Sequence, residues 1–342
     1  MIFPVAGVEV HPLAVVFVGF TVGVAGSFLG VGGGFIATPA LNILGFPMSY
    51  AVGTDLAHMM GKSIVATLRH RLLGNVDFKL GGLMVLGTIP GVELGKTIVL
   101  HLDRTGQAGP VIRYVYIALL AGVFLAFLRD YLKRRSSSKR SAPQMQDSGR
   151  GAWALRLVAP PFVSLPRSRI DRVSLWAIIG VGLVTGLAAG FLGVGGGFIR
   201  MAALLYLLGV PTLVAIGTDL FEIVVSGGYG AFTYALAGRV DLLAALVMLS
   251  GAAIGAWIGA SATVYVKGNR IRLYLAGVVL AAAVATALKQ LAESLGSTTL
   301  STAGNYLIFG AGGLLVAVIS LSWLRGVRRE GQRSAANQSN GQ

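Results

Sequence analysis

Apolar residues fall along this chain in continuous runs rather than in alternation. Runs of about 20 residues, the length that spans a bilayer, recur from one end to the other. The stretches at 114–128 and 273–288, for example, hold no charged residue. A transmembrane β-barrel shows ~10-residue segments of alternating polarity, so the pattern predicts helices. Ordinary spans are expected at 50–68, 80–100, 111–128, 213–236, 242–264, 271–288 and 302–324. Two further apolar stretches, 13–45 and 175–209, are too long for one span and short for two. Glycine interrupts both of them.

The pattern occurs twice. Gly26-Ser27-Phe28-Leu29-Gly30-Val31-Gly32-Gly33-Gly34-Phe35-Ile36 is echoed by Gly190-Phe191-Leu192-Gly193-Val194-Gly195-Gly196-Gly197-Phe198-Ile199, at an offset of 163. Val52-Gly53-Thr54-Asp55-Leu56 then pairs with Ile216-Gly217-Thr218-Asp219-Leu220, and Gly74-Asn75-Val76-Asp77 with Gly238-Arg239-Val240-Asp241, both at an offset of 164. Three matches in register read as an internal repeat. The expected organisation is a first transmembrane repeat at 1–130, a basic cytoplasmic linker at 131–172, a second repeat at 173–290, a final helix at 291–326 and a cytoplasmic tail at 327–342.

Composition agrees with a membrane protein. The 342 residues are 55% hydrophobic and 12% charged, about half the charged share of a soluble domain. Mean hydropathy is +0.76. The net charge of +15 raises the question of nucleic acid, and its location answers it. Residues 129–172 hold 11 Lys/Arg against 3 Asp/Glu, and 325–333 hold 4 against 1. Basic clusters beside apolar spans mark cytoplasmic loops, and the basic stretch lacks the interleaved aromatics of a nucleic-acid surface. No nucleic-acid partner is expected; the lipid bilayer is the expected partner, and a homo-oligomer is compatible with such a chain. The segment before the first span has no basic n-region, so no cleaved signal peptide is expected. Counting spans back from linker and tail places Gly45-Phe46-Pro47 outside and Gly209-Val210-Pro211 inside, which makes the two repeats inverted, the plan of many secondary transporters. The fold class expected is an all-α integral membrane protein with two Gly-broken repeats and one extra C-terminal span.

Candidate chemistry lies in the glycine runs and in the few ionisable residues within apolar stretches. Gly30, Gly32, Gly33 and Gly34, with Gly193, Gly195, Gly196 and Gly197, interrupt helix where glycine costs about 1 kcal/mol each relative to alanine. Half-helices restarting near Phe35 and Phe198 would turn N–H groups and a positive helix end toward a desolvated anion. Close helix packing through small residues is the competing reading. Asp55 and Asp219, each after Gly-Thr, are candidates for coupling or selectivity together with Thr54, Thr218 and Lys62; the alternative for both aspartates is a helix N-cap after Pro47 or Pro211. Arg200, three residues beyond the second glycine run, and Lys62 are candidates to neutralise an anion. Asp77 and Asp241 read as N-cap or loop residues, Lys96 as a snorkelling lysine, and Pro90 as a kink.

Several chemistries are excluded. Cysteine is absent and only 4 histidines are present, too few and too scattered for a metal site, so no cofactor and no metal are expected. Phe35 and Phe198 occupy the last position of the dinucleotide-binding glycine pattern, and neither H-E-x-x-H nor G-x-S-x-G occurs. No catalytic residue, and no enzyme, is expected.

Leu29-Gly30-Val31-Gly32-Gly33-Gly34-Phe35 with Pro39, Gly53-Thr54, and Gly74-Asn75-Val76-Asp77 resemble the sulfite exporter TauE/SafE family of membrane permeases, across roughly 13–128 and 175–288. The resemblance implies a permease of the bacterial inner membrane for small sulfur-containing anions such as sulfite or organosulfonates, with Gly32–Gly34 and Gly195–Gly197 carried over. Where the family pattern has proline soon after the glycines, the second copy reads Met201-Ala202, so the two half-sites are expected to be unequal. Transport by alternating access of the repeats is the leading reading. A channel for a cation or small solute, with Asp55 and Asp219 as selectivity elements, or a membrane subunit without transport of its own, are the alternatives.

Overall fold

A computed structural model describes residues 1–29, 32–136, 160–265 and 269–339. Gly30 and most of the basic linker, 137–159, lie outside the described residues. The first repeat opens with a two-stranded antiparallel hairpin, β1 (Ile2–Phe3) and β2 (Val8–Glu9). Helices α1 (Pro12–Leu29), α2 (Gly34–Ile43), α3 (Met48–Leu72), α4 (Phe78–Arg104) and α5 (Ala108–Ser136) follow. The second repeat is built the same way. A hairpin of β3 (Phe162–Leu165) and β4 (Ile170–Ser174) precedes α6 (Leu175–Leu192), α7 (Gly197–Ala202), a π-helical turn at Ala203–Leu207, α8 (Thr212–Leu236), α9 (Leu242–Tyr265) and α10 (Asn269–Leu295). The final helix, α11 (Thr298–Ser339), continues from its apolar half into the basic tail.

Seven of the described helices are long and apolar enough to cross a membrane: α4, α5, α6, α8, α9, α10 and α11. This is an all-α multi-pass membrane protein. Helix α3 was expected as an ordinary span on its apolar content, but its interior carries Asp55, His58, Lys62, Ser63 and Thr67, all buried. The polar face turns inward, where protein rather than lipid meets it.

The repeats grip one another reciprocally. Helix α1 packs on α9, and its counterpart α6 packs on α4, the counterpart of α9. A Cβ added to Gly19 or Gly23 of α1 would collide with the carbonyl oxygen of Met248 or Ala252, and one on Gly182 or Gly186 of α6 with that of Met84 or Thr88. Gly87, Gly91 and Gly95 of α4 meet α6 in return, and Gly251, Gly255 and Gly259 of α9 meet α1. Glycines four apart along one helix face let two backbones approach without side chains between them, which is how helices associate where lipid removes the hydrophobic drive.

The helix ends are exchanged in the same way. Asp77 caps α4, its carboxylate accepting from Lys79 N at 3.1 Å and Leu80 N at 3.0 Å, and Asp241 accepts from Ala244 N at 3.0 Å at the start of α9. Both were read as N-cap or loop residues, and the geometry is that of N-caps. The backbone N–H of Asp77 donates to Thr218 Oγ1 at 2.9 Å, and that of Asp241 to Thr54 Oγ1 at 3.0 Å. Each aspartate also holds the hairpin that opens the other repeat. Asp241 Oδ2 accepts from Val5 N and Ala6 N at 3.1 and 3.2 Å, and Asp77 Oδ2 accepts from Ser168 Oγ at 2.6 Å. Pro90 lies inside α4, which runs through it as one helix, and Lys96 pairs with Glu93 one turn away.

Candidate functional site

The glycine runs break their helices. Gly32 and Gly33 have φ of +77° and +79°, and Gly193, Gly195 and Gly196 have +76°, +66° and +70°. That left-handed region costs other residues ~1–2 kcal/mol, so glycine is what allows α1 and α6 to stop and α2 and α7 to restart at Gly34 and Gly197. The two breaks come together in the interior. A Cβ on Gly32 would stand 2.8 Å from Ile223 Cδ1 and 3.4 Å from Met59 Sδ, and one on Gly195 would stand 3.2 Å from Met59 Cε and 3.4 Å from Ile223 Cγ1. Met59 and Ile223 are themselves equivalent positions of α3 and α8. Gly34 lies against Gly193 and Val194 of the opposite break. Tyr116 of α5 ties the breaks from the side, its hydroxyl donating to Leu192 O at 2.6 Å.

Helix α3 brings Asp55, His58 and Lys62 to one face through their spacing of three and four residues. Lys62 is the fifteenth residue of a 25-residue helix, ~21 Å along its axis at 1.5 Å per residue. Asp55 is not an N-cap. It lies two turns inside α3, fully buried, accepting from Thr38 Oγ1 of α2 at 2.8 Å and facing His58 Nδ1 at 3.1 Å. Lys62 is equally buried, and its ammonium has no hydrogen-bond partner among the described residues. It stands beside the first break, since a Cβ on Gly26 would be 2.8 Å from Lys62 Nζ and 2.7 Å from Gly32 O.

The second repeat differs. Arg200, one turn into α7, is fully buried, with Nη1 2.9 Å from Asp219 Oδ1 and in contact with Glu222 Oε2, and with Nη2 donating to Gly195 O at 3.0 Å. The guanidinium is thus shared between two carboxylates of α8 and the carbonyl of the second break. Asp219, like Asp55, lies inside its helix and caps nothing. At positions equivalent to His58 and Lys62, α8 carries Glu222 and Ser226, so the half-sites are chemically unequal. One offers an unpaired ammonium, and the other a cation already engaged.

The structure brings Gly32, Gly33, Gly34, Gly193, Gly195, Gly196, Asp55, Asp219, Lys62 and Arg200 into one buried region, with Gly197 opening α7. Thr54 and Thr218 stand apart from it, each hydrogen-bonded to the opposite repeat's capping aspartate. The sequence marks Glu222 as an ionisable residue in an apolar stretch and His58 as a histidine without metal partners, with no role at this site for either, and it gives no sign of Tyr116 or Thr38. The signal that joins Glu222 and His58 to the site is their equivalent spacing, three positions beyond Asp219 and Asp55. The roles of Thr38 and Tyr116 depend on how α2 and α5 pack against the breaks, which no local pattern encodes.

Residues 15–286 match the family described as Sulfite exporter TauE/SafE. Among individual relatives, the chain is 24% identical over 254 residues to the probable membrane transporter protein YunE of Bacillus subtilis, covering 72% of this chain and 86% of the relative. It is 26% identical over 275 residues to the probable membrane transporter protein YjnA of the same organism, covering 78% and 96%. A shorter match, 38% over 78 residues, 23% of this chain and 16% of the relative, is to Sulfite exporter TauE/SafE family protein 3 of Arabidopsis thaliana. No solved structure matches. With most of its length matched and its spans and glycine breaks in place, this chain belongs to the sulfite exporter TauE/SafE family and is a multi-pass membrane transporter.

Proposed function

We propose that the protein is a secondary permease for small sulfur-containing anions, sulfite or organosulfonates, that exposes one central site alternately to the two sides of a bacterial inner membrane. The observation that carries the reading is the fully buried ammonium of Lys62, without a hydrogen-bond partner among the described residues, beside the first glycine break and at the point where both breaks meet. A buried ammonium without a hydrogen-bond partner is costly, and an anion lodged at the N-terminus of α2 would be met by that charge and by the positive end of the helix dipole. Arg200 does not serve this anion directly, being neutralised by Asp219 and Glu222. The exchanged contacts of the repeats support an inverted arrangement, because the start of α3 lies with the α8–α9 loop while the turn after α3 lies with the start of α8. Rocking of one repeat against the other about this junction is the motion such a plan provides. The linker and the C-terminal tail are assigned to the cytoplasm by their basic charge.

The test is flux of labelled sulfite, sulfate and methanesulfonate in liposomes containing only this protein. Saturable flux of one of these anions is expected, and Lys62→Met, inserted and folded as judged by gel filtration, should lose it. No flux of any of them from folded wild type, or undiminished flux in Lys62→Met, overturns the reading.

A further inference from the structure

The interior charges do not balance. Among the described residues, the fully buried ionisable groups of the central region are three carboxylates, Asp55, Asp219 and Glu222, two cations, Lys62 and Arg200, and one histidine, His58. With His58 neutral and the others ionised, the region carries one negative charge in excess. The excess is concentrated on α8, where Asp219 and Glu222 share the single guanidinium of Arg200 and Asp219 Oδ2 meets no donor among the described residues. Two carboxylates around one cation in a dry interior are relieved when one of them binds a proton.

Other charges near α8 do not remove the excess. From α3, Lys62 lies within electrostatic reach of Asp219, but it is shared with Asp55, and His58 faces Asp55. From α4, Glu93 and Lys96 pair with each other, with Tyr229 of α8 donating to Glu93 at 3.1 Å. Helix α6 carries no titratable side chain. Arg167, in the turn at Pro166–Ser168, is exposed at the start of α8.

We infer that Arg200, Asp219 and Glu222 form a proton-carrying site, and that anion and proton cross this permease together. The inference rests on the anion-permease reading and names its co-substrate. A proton from water on one side joins a carboxylate oxygen of Glu222 or Asp219 and leaves to water on the other side. A monovalent anion arriving at Lys62 adds negative charge beside this site and so raises its affinity for that proton. By linkage, protons must tighten anion binding to the same degree. One proton accompanying one monovalent anion makes the cycle electroneutral.

Two measurements test this. In liposomes loaded with a pH-sensitive dye, uptake of whichever of sulfite and methanesulfonate the wild type carries should acidify the lumen beyond protein-free controls. A pH gradient, and not a potassium diffusion potential, should drive that uptake. In Glu222→Gln, any anion that still crosses should bring no proton. Independently of transport, infrared spectra of wild type near neutral pH should show the carbonyl stretch of a protonated carboxyl, shifted by deuteration and lost in Glu222→Gln or Asp219→Asn. Anion uptake driven by voltage without acidification overturns the inference, as does absence of the protonated-carboxyl band. No anion flux at all overturns instead the permease reading, and the infrared result then decides the proton site by itself.

Discussion

Lys62 and Arg200 carry the same charge at the same complete burial, yet replacing them by methionine should affect stability differently. Arg200→Met leaves Asp219 and Glu222 without a cation in an interior from which water is excluded. Removing one partner of a buried ion pair costs about 3–5 kcal/mol. Lys62 has no hydrogen bond to lose among the described residues. Its attraction to Asp55 and Asp219 is set against the cost of burying the ammonium, and exchange for an apolar side chain of similar length should be neutral to within about 1 kcal/mol. The assay is thermal unfolding of purified protein in detergent, between about pH 5 and 8. Arg200→Met should unfold at much lower temperature, and its deficit should shrink as the pH falls, because protonated carboxyls no longer need the cation. Lys62→Met should unfold with the wild type. A transported anion at about 100 times its Kd should stabilise the wild type by ~2.7 kcal/mol, and the Lys62 variant hardly at all. If Lys62→Met proves as damaging as Arg200→Met, the ammonium is a structural counter-ion of Asp55, and the anion site proposed here is wrong.

Two further outcomes follow from the packing. Because Gly32 and Gly195 hold left-handed backbone and a Cβ on either meets the side chains of Met59 and Ile223, Gly32→Leu with Gly195→Leu should strain both breaks and cut anion flux severely; unchanged flux in a folded double variant would remove the breaks from the pathway. The natural absence of cysteine makes orientation directly measurable. A cysteine at Thr105 should react with an impermeant maleimide added to intact cells, whereas one at Arg167 should react only after permeabilisation, and equal or reversed labelling would contradict the cytoplasmic assignment of the linker.

Much of the architecture was readable from period and repeat. A 20-residue apolar run has few alternatives to a helix in a bilayer, because every backbone group must be satisfied within the segment. Glycine at consecutive positions in mid-run announces a break for the same reason. The opening hairpins were not legible, since strands as short as Ile2–Phe3 carry no periodicity and are held by a carboxylate 236 residues away. The glycine ladders of α4 and α9 were legible as Gly87, Gly91, Gly95 and Gly251, Gly255, Gly259, had the four-residue spacing been followed beyond the triple-glycine motif.

What the sequence alone determined is therefore the helical membrane fold, the doubling of its plan and the identity of the breaks, all consequences of local hydropathy and of backbone conformations that only glycine adopts cheaply. Tertiary structure decided which ionisable groups act together. Asp55 and Asp219 occupy equivalent positions in near-identical pentapeptides, yet one faces Thr38 and His58 and the other Arg200. Local sequence around them is almost the same, and the difference arises from what the folded chain places opposite each carboxylate. The same holds for the two buried cations. A lysine and an arginine in apolar stretches look alike along the chain, and only their surroundings in space distinguish Arg200, held by two carboxylates, from Lys62, which has no hydrogen-bond partner among the described residues.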